Sequence, residues 1–141
     1  MVKGRYSKAA AERIGVLEAI LSKDPGAHAY LELAQIYLDH ADARRAERLV
    51  RNSLRLDPDH LDGRRMLGII LSHRGALDSA EIELRQVLEV RPRDIEATSA
   101  LVDVLVDTER VADAVAILRR KLRLFEHPAF TERLMELTGE T

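Results

Sequence analysis

Five histidines and one spaced pair of aspartates are the residues of this chain whose types could do chemistry. His28, His40, His60, His73 and His127 are scattered, and no two stand at the three- or four-residue spacing that puts two imidazoles on one helical face for a metal. Each reads as a turn or surface residue. Asp103 and Asp107 stand four apart on one helical face and could hold a cation, but an acidic face turned to solvent or to a partner is the simpler reading. No glycine-rich phosphate loop, nucleophile elbow or HExxH helix is present. The absence of cysteine removes a disulfide framework, a thiolate zinc site and a thiol nucleophile. The residues therefore predict no enzyme, no metal and no cofactor.

Arginine gives the other chemical signal. Arg44, Arg45, Arg48, Arg51 and Arg55 crowd one stretch and Arg119, Arg120, Lys121 and Arg123 another, with Glu81, Glu83 and Glu89 between them. A surface striped basic, acidic, basic is most simply solvated and paired between neighbouring helices. RNA or another polyanion is the alternative ligand, but the aromatic residues on which single strands stack are missing. A net charge of −2 supplies no overall attraction to nucleic acid or to an anionic membrane.

Such residues act only when something rigid positions them, and the apolar pattern shows what does. The stretch from Leu61 to Pro92 reads as two short amphipathic helices broken at His73-Arg74-Gly75 and closed by a proline. Its first helix carries Leu67, Gly68 and Leu71 on one face, and its second carries Ala80, Leu84 and Val87. Slid back by about 34 residues, the unit brings Leu33, Ala34, Tyr37, Ala46, Val50, Ser53 and Pro58 into register. Slid forward, it meets Leu101, Val102, Leu105, Ala114 and Leu118. Small residues let paired helices approach closely, with Gly68 expected against Ala80, Ala34 against Ala46, and a looser Val102 against Ala114. Composition agrees, since 46% hydrophobic residues with only 4% aromatics and no tryptophan make a Leu, Val, Ile and Ala core suited to helix-on-helix packing.

At these residues the sequence resembles the tetratricopeptide repeat family, whose pattern of tryptophan, leucine-glycine, tyrosine, alanine, phenylalanine and proline has counterparts here. The family's large first residue is Tyr30 in the first unit, whereas Arg64 and Thr98 stand there in the next two. Lys121 replaces a usually small residue, and Glu126 the usual proline. The resemblance implies an all-α, right-handed α-solenoid of three helix pairs with an extra helix at each end. It divides the chain into a tail and lone helix over 1–26, repeats over 27–60, 61–94 and 95–128, and a capping helix and tail over 129–141. Helices are expected from Ser7 to Ser22, over 27–39 and 43–56, from Leu61 with Asp59 helping as N-cap, and from Ala129 to Thr138. The breaks are His40-Ala41-Asp42, His73-Arg74-Gly75 and Thr108-Glu109-Arg110.

In the repeats that the sequence resembles, the first helices of successive units line a concave groove. Here that face would carry His28, Leu31, Glu32, Gln35, Leu38 and Asp39, then Asp62, Arg65, Met66, Ile69, Ser72 and His73, then Glu96, Ser99, Ala100, Asp103, Val106 and Asp107. Its acids against the single Arg65 predict a negative groove with an apolar strip, fitted to a peptide or helical segment bearing basic residues beside hydrophobic anchors. The lysines and asparagines with which some members grip a chaperone tail are absent. Leu31, Gln35, Glu96 and Ala100 occupy four of their places. The expected function is a non-enzymatic protein interaction scaffold or adaptor, and the alternatives are polyanion binding on the outer helices or a self-assembly module of a larger protein.

The ends add two expectations. Val16, Ala19 and Ile20 match Val50, Ser53 and Leu54, so the N-terminal helix resembles the second half of a unit, either a lone cap or an excerpt from a longer protein. One side of Ile14, Leu17 and Leu21 would then lack cover unless residues 1 to 6 or another copy supplies it, predicting weak self-association. Lys3, Arg5 and Lys8 precede this helix in the manner of a secretory signal, but Glu12 and Arg13 interrupt the apolar run. No stretch reaches the roughly 20 apolar residues of a membrane span. The expected location is cytoplasmic, or periplasmic or secreted if a signal has been removed.

Overall fold

The computed structural model describes residues 5–140, and the described residues form helices α1 (Lys8–Lys23), α2 (Tyr30–Asp39), α3 (Ala43–Leu56), α4 (Leu61–His73), α5 (Leu77–Val90), α6 (Ile95–Asp107), α7 (Val111–Leu124) and α8 (Pro128–Thr138). Each packs on the next along a stacked array. The tail expected before α1 lies outside the described residues up to position 4. Arg5 and Tyr6 are placed against the next unit, Arg5 pairing with Asp42 at 3.1 Å and Tyr6 packing on Tyr37 and His40.

The period is written in the backbone. Residues with positive φ fall at Ala41 (60°), Gly75 (79°) and Glu109 (60°), each pair 34 apart. At each of these turns the following amide donates back across it, Asp42 to Tyr37 (2.8 Å), Ala76 to Leu71 (2.9 Å) and Arg110 to Leu105 (2.7 Å). This is a six-to-one Schellman closure, which needs a left-handed residue just past the helix end. Glycine supplies that conformation freely in the middle turn only. Ala41 and Glu109 adopt it against the Cβ penalty.

The core follows the apolar pattern. The helix-face residues aligned across the three units, from Leu33 and Ala34 through Gly68, Ala80 and Leu84 to Ala114 and Leu118, are buried, whereas the closing prolines Pro58 and Pro92 are exposed. Gly68 faces the second helix of its pair as expected. A Cβ there would lie 3.6 Å from the carbonyl oxygen of Ala80 and only 2.8 Å from Leu84 Cγ and Cδ2. Gly63 is a second close approach that the pattern does not signal. A Cβ on it would collide with the Tyr30 hydroxyl and come within 3.0 Å of Leu54.

Three local expectations are corrected. Helix α2 begins at Tyr30, not at 27, three residues later in its unit than α4 and α6 begin in theirs. His28 is thereby left in a turn closed by Leu31 N to His28 O at 3.1 Å. The N-cap residue of α4 is His60, not Asp59. On α1, Ile14 and Leu17 are covered, and the apolar residues left open are Val16 at 49% and Ile20 at 41% exposure.

Lys121 is buried at 5% exposure, its ammonium donating to the Pro92 carbonyl at 2.7 Å. Burial, reinforced by Arg120, pushes its pKa down. On the outer side a Glu–Arg pair repeats with the same period, each joined by an arginine from the following turn. Glu47 accepts from Arg51 (2.9 Å) and Arg74 (2.7 Å), and Glu81 from Arg85 (2.8 Å) and Arg110 (2.7 Å). Burial would raise both carboxyls, but the paired guanidiniums outweigh it and hold them below the usual range. The outer stripe is thus cross-paired between units at Glu47 and Glu81, while Arg44, Arg48, Arg120 and Arg123 make no ion pair among the described residues.

Candidate partner-binding groove

Which helices line the inside of the array follows from which of them touch. Helix α2 contacts α4 and α4 contacts α6, whereas no comparable contact joins α3 to α5 or α5 to α7 among the described residues. The first helices therefore crowd together while the second helices splay, and the array bends toward α2, α4 and α6. None of the residues assigned to this face from the sequence, His28 to Asp39, Asp62 to His73 and Glu96 to Asp107, is buried. Leu31, Leu38, Met66, Ala100 and Val106 are partly covered by the core beneath them and form an apolar floor.

The charge of the face differs from the count of its own residues, because arginines from other helices reach over it. Arg13 of α1 grips Glu32 through two nitrogens at 2.5 and 2.7 Å. Arg91, just past α5, pairs with Asp62 at 2.5 Å, and Arg133 of α8 with Asp103 at 3.2 Å. Arg65 bridges Asp94 (2.6 Å), Asp62 (3.4 Å) and Glu96 (3.4 Å). The hydrogen bond from Arg13 draws Glu32 down, and the one from Arg91 does the same for Asp62. Asp39 and Asp107 have no basic partner among the described residues, and Gln35 donates to Asp39 at 2.7 Å. The face is less negative than α2, α4 and α6 alone suggest, and its unneutralised acids lie at the C-terminal ends of α2 and α6.

Asp103 behaves differently. Its side chain keeps 61% of its exposure, yet desolvation raises its pKa, opposed by Arg133 and reinforced by Asp107 and Glu136. A carboxyl that touches water but is hemmed in by protein on several sides has lost much of its bulk solvent.

The structure also joins residues that looked scattered. His28 and His60, from the turn before α2 and the loop before α4, stack with ring centroids 3.7 Å apart and planes 17° from parallel. Asp57 Oδ2 lies 3.3 Å from His28 Nε2, and the Tyr30 hydroxyl lies 2.5 Å from His60 Nδ1. No helical spacing announces this group, because its members come from two loops. The other histidines are turn or surface residues as expected: His40 and His73, the latter ending α4, bond carbonyls four residues back, and the ring of His127 caps α8.

The tetratricopeptide repeat family model matches residues 31–89, the stretch that holds α2 to α5. Residues in this stretch carry both the aligned apolar positions and the left-handed turns. Over that stretch the chain resembles tetratricopeptide repeats. Its fold matches that of a thermophilic TPR protein of Thermus thermophilus with a TM-score of 0.80, at 17% identity over 90% of this chain and 72% of that one. A tetratricopeptide repeat protein of Parabacteroides merdae superposes with a TM-score of 0.74, at 19% identity over 93% of this chain and 50% of the other. A MamA mutant does so with 0.66, at 20% identity over 84% and 69%. Among curated proteins none matches the chain.

Tetratricopeptide repeats generally serve as non-enzymatic scaffolds for protein–protein interaction. In this repeat array no helix among the described residues is long and apolar enough to cross a membrane.

Proposed function

We propose that this chain is a protein interaction module that takes a peptide or helical segment into the face lined by α2, α4 and α6. The observation that supports it best is the apolar floor of Leu31, Leu38, Met66 and Val106, left accessible between acids of which Asp39 and Asp107 carry no arginine. Apolar anchors hold such a complex, and the acids select and steer a segment carrying Lys or Arg, their reach limited to about 8 Å at physiological salt.

Selection from a displayed random peptide library tests this without knowledge of the native partner. Enriched sequences should combine hydrophobic anchors with basic residues. Their binding should slow in the Asp103→Lys, Asp107→Lys double variant and dissociate faster in Ile69→Asp. Selected peptides that bind both variants normally would overturn the groove assignment.

A second reading rests on Val16 and Ile20, which stand open on α1. Weak self-association through this face should appear as a concentration-dependent sedimentation coefficient that Val16→Glu with Ile20→Glu abolishes. Polyanion binding by the outer arginines has less support, since Arg51 and Arg74 are engaged by Glu47.

A further inference from the structure

The group formed by His28, Asp57 and His60 has the composition of a metal site, and it stands apart from the groove reading. Its ligand atoms, one nitrogen from each imidazole and one carboxylate oxygen, all lie within 4.8 Å of one another. Two imidazoles stacked face to face at 3.7 Å repel one another if both are charged. With a carboxylate 3.3 Å from the first ring, two neutral imidazoles instead supply lone pairs beside a negative charge, and the exposed His28 ring has to turn out of the stack for both to meet one ion.

We propose that His28, Asp57 and His60 bind a single divalent first-row transition ion of the zinc class, clipping the turn before α2 to the loop that leads into α4. Two imidazoles and one carboxylate favour such an ion over magnesium or calcium, which prefer oxygen ligands throughout. Zinc bonds to nitrogen and oxygen of about 2.0–2.2 Å place tetrahedral ligand atoms about 3.3–3.5 Å apart. The His28–Asp57 separation of 3.3 Å already fits that value. Closing the wider separations asks for movements of roughly 1.5 Å together with rotation of the His28 ring out of the stack. His28 and Asp57 can supply them, since their side chains are 54% and 48% exposed.

His60 is the fixed member. Its side chain is only 12% exposed, and the Tyr30 hydroxyl holds Nδ1 at 2.5 Å. Nε2 is left as the metal-facing nitrogen, the arrangement in which a partner on the other ring nitrogen orients a ligating histidine. Tyr30 is itself buried, which fixes the hydroxyl that orients His60. Asp62 Oδ2 lies 4.0 Å from His60 Nε2, but Arg91 holds that carboxylate at 2.5 Å, so it is not counted as a ligand. The three ligands leave a fourth position open to solvent for water.

Zinc and cobalt titration of the untagged chain tests the site. Expected results are uptake of one ion per chain, cobalt visible bands of a four- or five-coordinate centre, and a melting temperature raised by several degrees with zinc but not with magnesium or calcium. His28→Gln and Asp57→Asn change exposed side chains and should leave the metal-free melting temperature nearly unchanged. Each should weaken zinc binding at least tenfold, and His73→Gln should not. A wild-type chain without a zinc-dependent shift, or a His28→Gln, Asp57→Asn double variant that retains it, would overturn the proposal. An equal shift with magnesium would do the same.

Discussion

Replacing Gly63 by alanine should destabilise the chain, and Tyr30→Phe should relieve part of that loss. The new Cβ would collide with the Tyr30 hydroxyl and lie 3.0 Å from Leu54 Cδ2 and 3.2 Å from Tyr30 Cζ. Tyr30 is 2% exposed and cannot swing into solvent. Alanine gains at most about 1 kcal/mol of helix propensity over glycine. Overpacking costs about 1–3 kcal/mol, and a displaced hydroxyl gives up its bond to His60, a further 0.5–1.5 kcal/mol or so. The net loss is about 1–3 kcal/mol. Tyr30→Phe alone should cost about 1 kcal/mol by leaving His60 Nδ1 without its partner. In the double variant the oxygen is gone, and only the two carbon contacts remain to be absorbed. The two losses should therefore overlap, with a coupling of about 1–2 kcal/mol in urea titrations followed by circular dichroism. Losses that add within about 0.5 kcal/mol would mean that the Tyr30 hydroxyl does not lie over Gly63. The orientation assigned to His60 would then fall with it.

The left-handed turns predict that Glu109→Gly, and likewise Ala41→Gly, stabilises by about 0.5–1 kcal/mol, while Gly75→Ala destabilises by about 1 kcal/mol; thermal denaturation reads both signs. Ala80→Leu should overpack the contact with Gly68 and cost about 1–3 kcal/mol, whereas the same change at exposed Ser79 should be nearly neutral in the same melts. Tyr30 ionises at about 12 in the fold but near 10 when unfolded, so between these values the unfolded chain binds fewer protons. Its contribution is then full below pH 10 and is lost as pH rises through 12, about 2–3 kcal/mol in all; denaturant titrations at rising pH should show this slope flattened in Tyr30→Phe.

What the sequence revealed and what it hid divide along a physical line. Contacts between residues of like polarity repeat in every unit, so Leu33, Leu67 and Leu101, or Ala46, Ala80 and Ala114, announce themselves by period alone. The turns at 41, 75 and 109 were legible as breaks, although only Gly75 shows the backbone conformation that all three share. The positions proposed for the groove are all unburied, as the sequence suggested, but their electrostatic surroundings were not legible. Arg13, Arg91 and Arg133 lie outside its helices and neutralise Glu32, Asp62 and Asp103 from there. Gly63 was missed because its neighbour Tyr30 belongs to the preceding unit, where the other units carry Arg64 and Thr98 in place of an aromatic ring. The exposed side of α1 was found, but on the wrong residues, since Ile14 and Leu17 take the buried face and Val16 and Ile20 the open one.

The same line explains how one repeat geometry carries unlike chemistry. A residue at the start of a first helix meets the residue 29 positions later, at the end of the second helix of that pair, and the meeting recurs one period on. In the first pair it joins His28 to Asp57, and in the second it joins Asp62 to Arg91. Arg65 reaches Asp94 across the same interval, and Lys121 reaches back across it to the Pro92 carbonyl. The backbone fixes only that these positions touch. A carboxylate facing a guanidinium satisfies both charges and leaves nothing for a ligand, as at Asp62 and Arg91. An imidazole facing a carboxylate, with a second imidazole stacked on the first, leaves lone pairs and negative charge in surplus. The histidine cluster is therefore the one junction of this kind, among the described residues, whose charge favours a bound cation.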